Sequence, residues 1–179
     1  MSAPVGFNLL ARVLHWAMAV LIVAMLFIGV GMVASVSQRP WLIDLHRPLG
    51  IAILSLALVR LANRLRHAPP PLPADLPRWQ VLAAHASHGV LYALMLAMPL
   101  IGWAMVSAGG YPVEMFGTLR LPAIVSPDAT VYAWLRDAHG ALARVLFLTV
   151  LAHLAAALFH AWVRRDGVFS RMARFGRWK

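Results

Sequence analysis

The stretch LLARVLHWAMAVLIVAMLF, from Leu9 to Phe27, combines a long apolar run with a titratable histidine near its start. A transmembrane helix needs about 20 predominantly apolar residues, and no formal charge follows Arg12 until Arg39. An imidazole is costly in hydrocarbon, and ionisable groups there usually face the interior of a helix bundle and mark function. We therefore predict a membrane helix in which His15 faces other helices.

The composition of the whole chain is also that of a membrane protein. Of its 179 residues, 61% are hydrophobic and only 12% are charged. The chain contains no cysteine, which excludes disulfides, thiolate-bound iron–sulfur clusters and covalently attached c-type haem. The first apolar run lacks a preceding basic region and a small-residue cleavage site. We therefore interpret it as a retained transmembrane helix rather than a signal peptide.

The charge-free intervals predict an all-α, integral membrane four-helix bundle, formed by a single membrane domain of residues 1–179. The predicted transmembrane helices cover about residues 9–36, 46–65, 79–106 and 129–163. Pro99 lies inside the third helix, where it removes one backbone hydrogen bond. Before the fourth helix, Ser126 is the expected N-cap, with Pro127 at the first helical position.

The distribution of basic residues predicts that the N- and C-termini are both cytoplasmic. This orientation puts eleven of the sixteen basic residues in the cytoplasm, namely Arg12, Arg60, Arg64, Arg66, Arg78, Arg164, Arg165, Arg171, Arg174, Arg177 and Lys179. The opposite side keeps five, so the positive-inside rule is satisfied. Topology and attraction to anionic membrane lipid then explain the net charge of +10, which does not indicate nucleic-acid binding.

Four histidines are predicted to lie in pairs at two depths in the membrane. His139 and His153 are 14 residues apart, which is about 21 Å of rise and about 40° short of whole turns, so they share one face of the fourth helix. His15 is near the inner end of the first helix, and His46 is at the outer end of the second. Two stacked haems, each bound by two imidazoles, require such positions. The predicted pairs are His46 with His139 and His15 with His153.

These residues alone leave alternatives open. His160 is seven residues past His153 on the same face and competes for the inner site, while His85 and His88 on the third helix lie toward the same side. Histidines that are hydrogen-bonded within the bundle, or that line a proton or metal pathway, would produce a similar pattern.

Several motifs resemble the bacterial branch of the cytochrome b561 family, which includes the cytochrome b subunits of hydrogenases and formate dehydrogenases. They span nearly the whole chain in the family's order: RVLHW (12–16), HRPLG (46–50), VRL (59–61), AHASHGVLY (84–92), MPLIG (98–102), FG (116–117) and HGALARVLFLTVLAHLAAALFH (139–160). The resemblance implies a multi-pass cytochrome of the bacterial inner membrane with two non-covalent haem b groups. It assigns His15 and His153 to the inner haem iron and His46 and His139 to the outer one.

The resemblance also implies a function for the chain. Short family members are similar to the bacterial enzyme that oxidises superoxide on the outer face and passes the electron through the haems to ubiquinone. Arg47 and Arg136 lie close in sequence to the outer ligands and are the candidates for attracting the superoxide anion, with Arg120 and Arg144 as possible additions. His160 becomes a candidate for the quinone site.

Two further expectations complete the prediction. Arg12, one turn before His15, is a candidate contact for a propionate of the inner haem. The alternative function is a membrane anchor or electron-relay cytochrome b subunit that serves a partner dehydrogenase, hydrogenase or periplasmic protein.

Overall fold

A computed structural model describes residues 6–115 and 118–173 of the chain. The elements in chain order are α1 (Leu9–Ala34), α2 (Arg39–Arg66), α3 (Arg78–Ala108), β1 (Val113–Met115), β2 (Leu119–Leu121), α4 (Ala129–Leu158), a π-helical segment (Phe159–Arg164) and α5 (Val168–Ala173). Four helical segments are long and apolar enough to cross a membrane: α1, α2, α3 and α4 together with its π-helical extension. This confirms the predicted all-α class. The FG motif at 116–117, residues 1–5 and the basic residues of 174–179 lie outside the described residues.

Helix α2 begins seven residues earlier than the sequence-based bounds, at Arg39 rather than at His46. Pro40 stands in the first turn of this helix, where its fixed φ suits a helix start and its missing N–H is not needed. His46 is consequently two turns inside the helix. Pro48 and Pro99 lie within α2 and α3, and each helix continues past its proline.

The N-cap of α4 is Asp128, and the prediction of Ser126 as the cap was wrong. The Asp128 side chain accepts hydrogen bonds from the backbone N–H of Thr130 at 2.8 Å and of Val131 at 2.9 Å. Its own N–H donates to the carbonyl of Ala108 at the end of α3. The Asp128 carboxylate is charged and accepts from two free N–H groups of the first turn, and hydrogen bonds to a charged acceptor are stronger than those to a serine hydroxyl.

The bundle is assembled by neighbours in sequence, since α1 packs on α2, α2 on α3 and α3 on α4. Its core lies at mid-height and consists of Met18, Ile22, Ile53, Ala57, Leu94, Met95 and Leu146. We call the end at which α1 begins and α4 finishes the terminal end, and the other, which carries the β1–β2 hairpin, the hairpin end. Residues of α1 and α2 are not packed closely against α4 anywhere in the described ranges.

Polar contacts hold the terminal end together. Asn8 caps α1 by accepting from the N–H of Ala11 at 2.7 Å, and its side chain exchanges two hydrogen bonds with buried Asn63 of α2. The indole N–H of Trp16 donates to the carbonyl of Met172 in α5 at 3.2 Å. Trp16 therefore ties α1 to the C-terminal helix.

Candidate functional site

His46 of α2 and His139 of α4 face each other at the hairpin end. Their ring centroids are 6.1 Å apart, with an interplanar angle of 65°. The Nδ1 atoms of both rings are buried and make no hydrogen bond of normal geometry with any described residue. Buried polar atoms usually have a partner, so each Nδ1 atom lacks the hydrogen bond of normal geometry that a buried imidazole usually makes, although the His139 ring lies near the Met98 backbone.

Gly102 of α3 packs against the His139 ring. A Cβ at this position would lie 3.3 Å from Cε1 and 3.7 Å from Nδ1 of that ring. The absence of a side chain at Gly102 therefore lets His139 occupy its position between α3 and α2. The motif that contains Gly102 was recognised in the sequence, but this contact was not.

At the terminal end, His153 of α4 meets two other imidazoles. Its ring centroid is 6.3 Å from that of His15 in α1 and 5.6 Å from that of His88 in α3. The sequence predicted the first contact and left the role of His88 open. His85, one turn before His88, is exposed.

The dimensions of both histidine pairs fit one metal ion between two imidazoles. Metal–imidazole bonds of about 2.0–2.1 Å on opposite sides of one ion put the ring centroids roughly 6 Å apart. The observed distances are 6.1 Å for His46–His139 and 6.3 Å for His15–His153. Each pair joins α4 to a helix that makes little close backbone contact with it in the described residues.

Arg60 of α2 reaches the terminal-end pair. One guanidinium nitrogen donates to the carbonyl of Ala11 at 3.0 Å, and another is 3.3 Å from Nδ1 of His15. Because an arginine can only donate, Nδ1 is the acceptor, and a neutral His15 then carries its proton on Nε2. Iron ligation through Nε2 therefore requires Arg60 to exchange this contact for another acceptor.

A cavity of about 490 Å³ lies at the terminal end, and its lining includes two cationic side chains, those of Arg60 and Arg64. The guanidinium of Arg64 also lies over the ring of Tyr92, 5.6 Å from its centroid. Two guanidiniums at a cavity next to His15 suit the carboxylates of a haem, so the residues present fit this group. Arg12, predicted as a propionate contact, is 7% exposed at the same end of α1.

The predicted cationic surface at the hairpin end is smaller than the sequence suggested. Arg120 is paired with Glu114 at 2.7 Å across the hairpin. Arg144 is five residues past His139, about 140° around α4 from that ring, and is exposed. Arg136 is exposed and Arg47 is partly buried, and neither forms an ion pair with a described residue. Arg47 and Arg136 therefore remain the candidates for attracting an anion at the hairpin end.

His160 does not join the terminal-end pair but makes a contact of its own. Its Nδ1 is 2.6 Å from Oδ2 of Asp166, which follows the π-helical segment. Asp166 was not identified from the sequence as a partner of His160. The only signal in the sequence was that the two residues are six positions apart. No group of three or more His, Cys, Asp or Glu in the described residues is arranged to hold a free metal ion.

Four spanning helices that direct histidine pairs toward each other at two depths define a membrane cytochrome of the b type. The profile of the prokaryotic cytochrome b561 family matches residues 6–174. The chain belongs to the prokaryotic cytochrome b561 family. It is therefore a multi-pass bacterial membrane protein that binds haem b and transfers electrons.

Alignments with three curated relatives cover nearly the full length of this chain and of each relative. The chain is 32% identical over 160 residues to "Probable superoxide oxidase CybB" of Yersinia pestis, covering 89% of this chain and 90% of that protein. It is 28% identical over 169 residues to "Cytochrome b561 homolog 1" of Escherichia coli, covering 89% and 92%. It is also 28% identical over 184 residues to "Cytochrome b562" of Cereibacter sphaeroides, covering 97% and 99%.

Proposed function

We propose that this protein is a di-haem cytochrome that takes electrons from superoxide at the hairpin end and delivers them to ubiquinone at the terminal end. The observation that carries the proposal is the pair of facing imidazoles at each end, with ring centroids 6.1 Å and 6.3 Å apart. His46 and His139 would hold one haem iron, and His15 and His153 the other. When bound, the haems supply one-electron redox chemistry between the two ends.

The orientation follows from charge. The terminal end faces the cytoplasm in this proposal, because eleven of the sixteen basic residues belong to that side. The hairpin end then faces the periplasm of the bacterial inner membrane, where superoxide is the donor.

Superoxide as the donor is supported by the name of the relative from Yersinia pestis, a probable superoxide oxidase. It is also supported by Arg47, next to His46, and by Arg136, three residues before His139. Free cations close to the ligands raise the local concentration of a small anion and its encounter rate. Neither guanidinium is neutralised by an ion pair within the described residues.

Ubiquinone as the acceptor is supported by the polar groups of the terminal end. His160 lies on the extension of α4 beyond His153, with exposed Phe159 and Trp162 beside it. A lipid-soluble quinone approaches from the membrane, so a polar group flanked by exposed apolar side chains at the bilayer edge is a suitable contact.

The ligand assignment is tested by counting haems in alanine variants of each histidine. A pyridine haemochrome assay is expected to give two haems per chain in the wild type. His46→Ala and His139→Ala should each remove the same haem, and His15→Ala and His153→Ala the other. His88→Ala is the matched control, since it removes a ring that also touches His153 but is not assigned as a ligand. Loss of a haem in His88→Ala but not in His15→Ala would refute the terminal-end assignment.

The donor and acceptor are tested by stopped-flow mixing of the isolated protein with superoxide, with and without ubiquinone. Rapid haem reduction, followed by reoxidation only when quinone is present, is the expected result. Failure of superoxide to reduce the haems would refute the stand-alone enzyme and favour an electron-relay subunit that depends on a partner protein.

A further inference from the structure

Helix α4 ends in an unusual backbone conformation. The last turn of the helix is π-helical from Phe159 to Arg164, and Arg165 ends it in the left-handed region with φ 55°. π-helical turns and positive φ at a non-glycine residue are both disfavoured and are frequent at functional sites. Here they bring Asp166 back against His160, with Nδ1 and Oδ2 2.6 Å apart.

The Asp166 carboxylate is held in one orientation by other donors. Oδ2 also accepts from Nε of Arg164 at 3.2 Å, and Oδ1 accepts from the backbone N–H of Val168 at 3.2 Å. The His160 and Asp166 side chains are only 15% and 10% exposed. A second nitrogen of Arg164 donates to Asp75 of the α2–α3 connection at 2.7 Å, but that carboxylate is 73% exposed.

The protonation pattern of this pair follows from its geometry. Although partial burial raises the pKa of the Asp166 carboxyl, hydrogen bonds from His160 and from the Val168 N–H lower it, and the net pKa is below its usual value. An ionised carboxylate accepts, so the His160 Nδ1 carries a proton. Nε2 is then the nitrogen left to exchange protons with another molecule.

Exposed apolar side chains lie on the same helical turn as His160, and the Phe159 ring contacts the His160 ring at a centroid distance of 5.9 Å. Phe159, Trp162 and Val163 are 42%, 68% and 68% exposed and follow the same turn. The other charged groups on elements packed here are Arg165, which donates to the Trp162 carbonyl, and Arg171 of α5, which donates to the carbonyl of Pro71. The side chains of both arginines bond to backbone carbonyls rather than to the His160 and Asp166 side chains.

We propose that Asp166 is a positioning residue that makes His160 the proton donor to quinone at the terminal end. The proposal rests on the proposed function, in which quinone is reduced there. Two superoxide ions each lose one electron and become O₂, and the quinone gains these two electrons and two protons to form quinol with two new O–H bonds. His160 Nε2 gives one proton and is reprotonated from the cytoplasmic water; the second proton comes from water.

The test compares Asp166→Asn with Asp75→Asn in the purified haem-loaded protein. Both variants remove one carboxylate bonded to Arg164, but only the first removes the acceptor of His160 Nδ1. The measurements are haem content, the rate of haem reduction by superoxide without quinone, and kcat and KM for ubiquinone between pH 5.5 and 9.

For Asp166→Asn we expect unchanged haem content and haem reduction, an unchanged KM and a kcat about 10–100-fold lower, as is typical when the orienting partner of a functional histidine is removed. The decrease in kcat should be greatest at alkaline pH, where solvent protons are scarce. Asp75→Asn should keep a kcat within about twofold of the wild type, because surface ion pairs contribute little.

The outcomes separate the two proposals. A wild-type protein whose reduced haems are not reoxidised by ubiquinone refutes the proposed function. Normal quinone reduction in the wild type together with an equal kcat in Asp166→Asn refutes the role of the pair alone. If Asp166→Asn loses haem, His160→Gln takes its place, and an undiminished kcat in that variant overturns the proposal.

Discussion

Replacing Gly102 by alanine is expected to weaken haem binding at the hairpin end and to leave the terminal end intact. The new Cβ would lie 3.3 Å from Cε1 and 3.7 Å from Nδ1 of His139. The optimum separation of carbon atoms is about 3.5–4.0 Å, so the ring must shift by a few tenths of an ångström. Overpacking of this kind costs about 1–3 kcal/mol, which corresponds to roughly 5- to 150-fold weaker haem binding.

Gly89→Ala is the matched control for this substitution. Gly89 is on the same helix and is exposed, and a Cβ there would meet nothing within 4 Å. Both substitutions gain the same helix propensity, about 1 kcal/mol, so a difference between the two variants isolates the contact with His139.

Haem content by pyridine haemochrome and the rate of haem transfer to excess apomyoglobin measure the effect. In Gly102→Ala one haem should transfer faster to apomyoglobin, and the number of haems bound per chain should fall from two towards one. Gly89→Ala should match the wild type in both measurements. Equal haem content and equal transfer rates in the two variants would show that the His139–Gly102 contact does not position an axial ligand.

Three further results are expected. Arg60→Gln should raise the rate at which the terminal-end haem is lost to apomyoglobin, because it removes one of the two guanidiniums that line the cavity and suit the haem carboxylates; an unchanged rate would contradict this role. Glu114→Gln removes one negative charge and releases Arg120 from its ion pair. The rate of haem reduction by superoxide should rise at low ionic strength, about twofold for a unit charge that acts over one Debye length of ~10 Å, and should rise less in 0.15 M salt; a gain that persists in high salt would argue against steering. Asp166→Asn should lower thermal stability at neutral pH. Because the pKa of this carboxyl is lower in the folded protein than its ordinary value of 3.8, the difference from wild type should be full above that pH and vanish as the pH falls below it; a difference that is constant down to pH 2 would mean that the carboxylate charge contributes nothing.

The four spans were predictable because each depends on local properties. A charge-free interval of sufficient length and a fixed helical period identify the helices and the shared face of His139 and His153. The structure differs from the sequence-based expectations at helix ends. The start of α2 and the cap of α4 depend on which nearby residue satisfies the first N–H groups, and several residues were compatible with the sequence.

The histidine pairs were predictable for a different reason. His139 and His153 are on one helix, so their separation in depth follows from rise per residue alone. Successive membrane spans run in opposite directions, which gives the depths of His15 and His46. The ring-centroid distances of 6.1 Å and 6.3 Å could be obtained only from the structure, because the separation of two rings depends on the spacing and rotation of their helices.

The sequence by itself determined the class of this protein: an all-α membrane bundle with histidines at two depths and the motif order of the b561 family. Only the tertiary structure decided what contacts those histidines. His88 beside His153, Arg60 against His15 and Gly102 against His139 all join segments whose relative position has no local signature. The bond of Asp166 to His160 is local, but it depends on a π-helical turn and a positive φ at Arg165 that the sequence does not signal. Hydropathy and helical period are properties of a single segment, whereas a side-chain contact depends on how two segments are placed in space by the packing of the whole bundle.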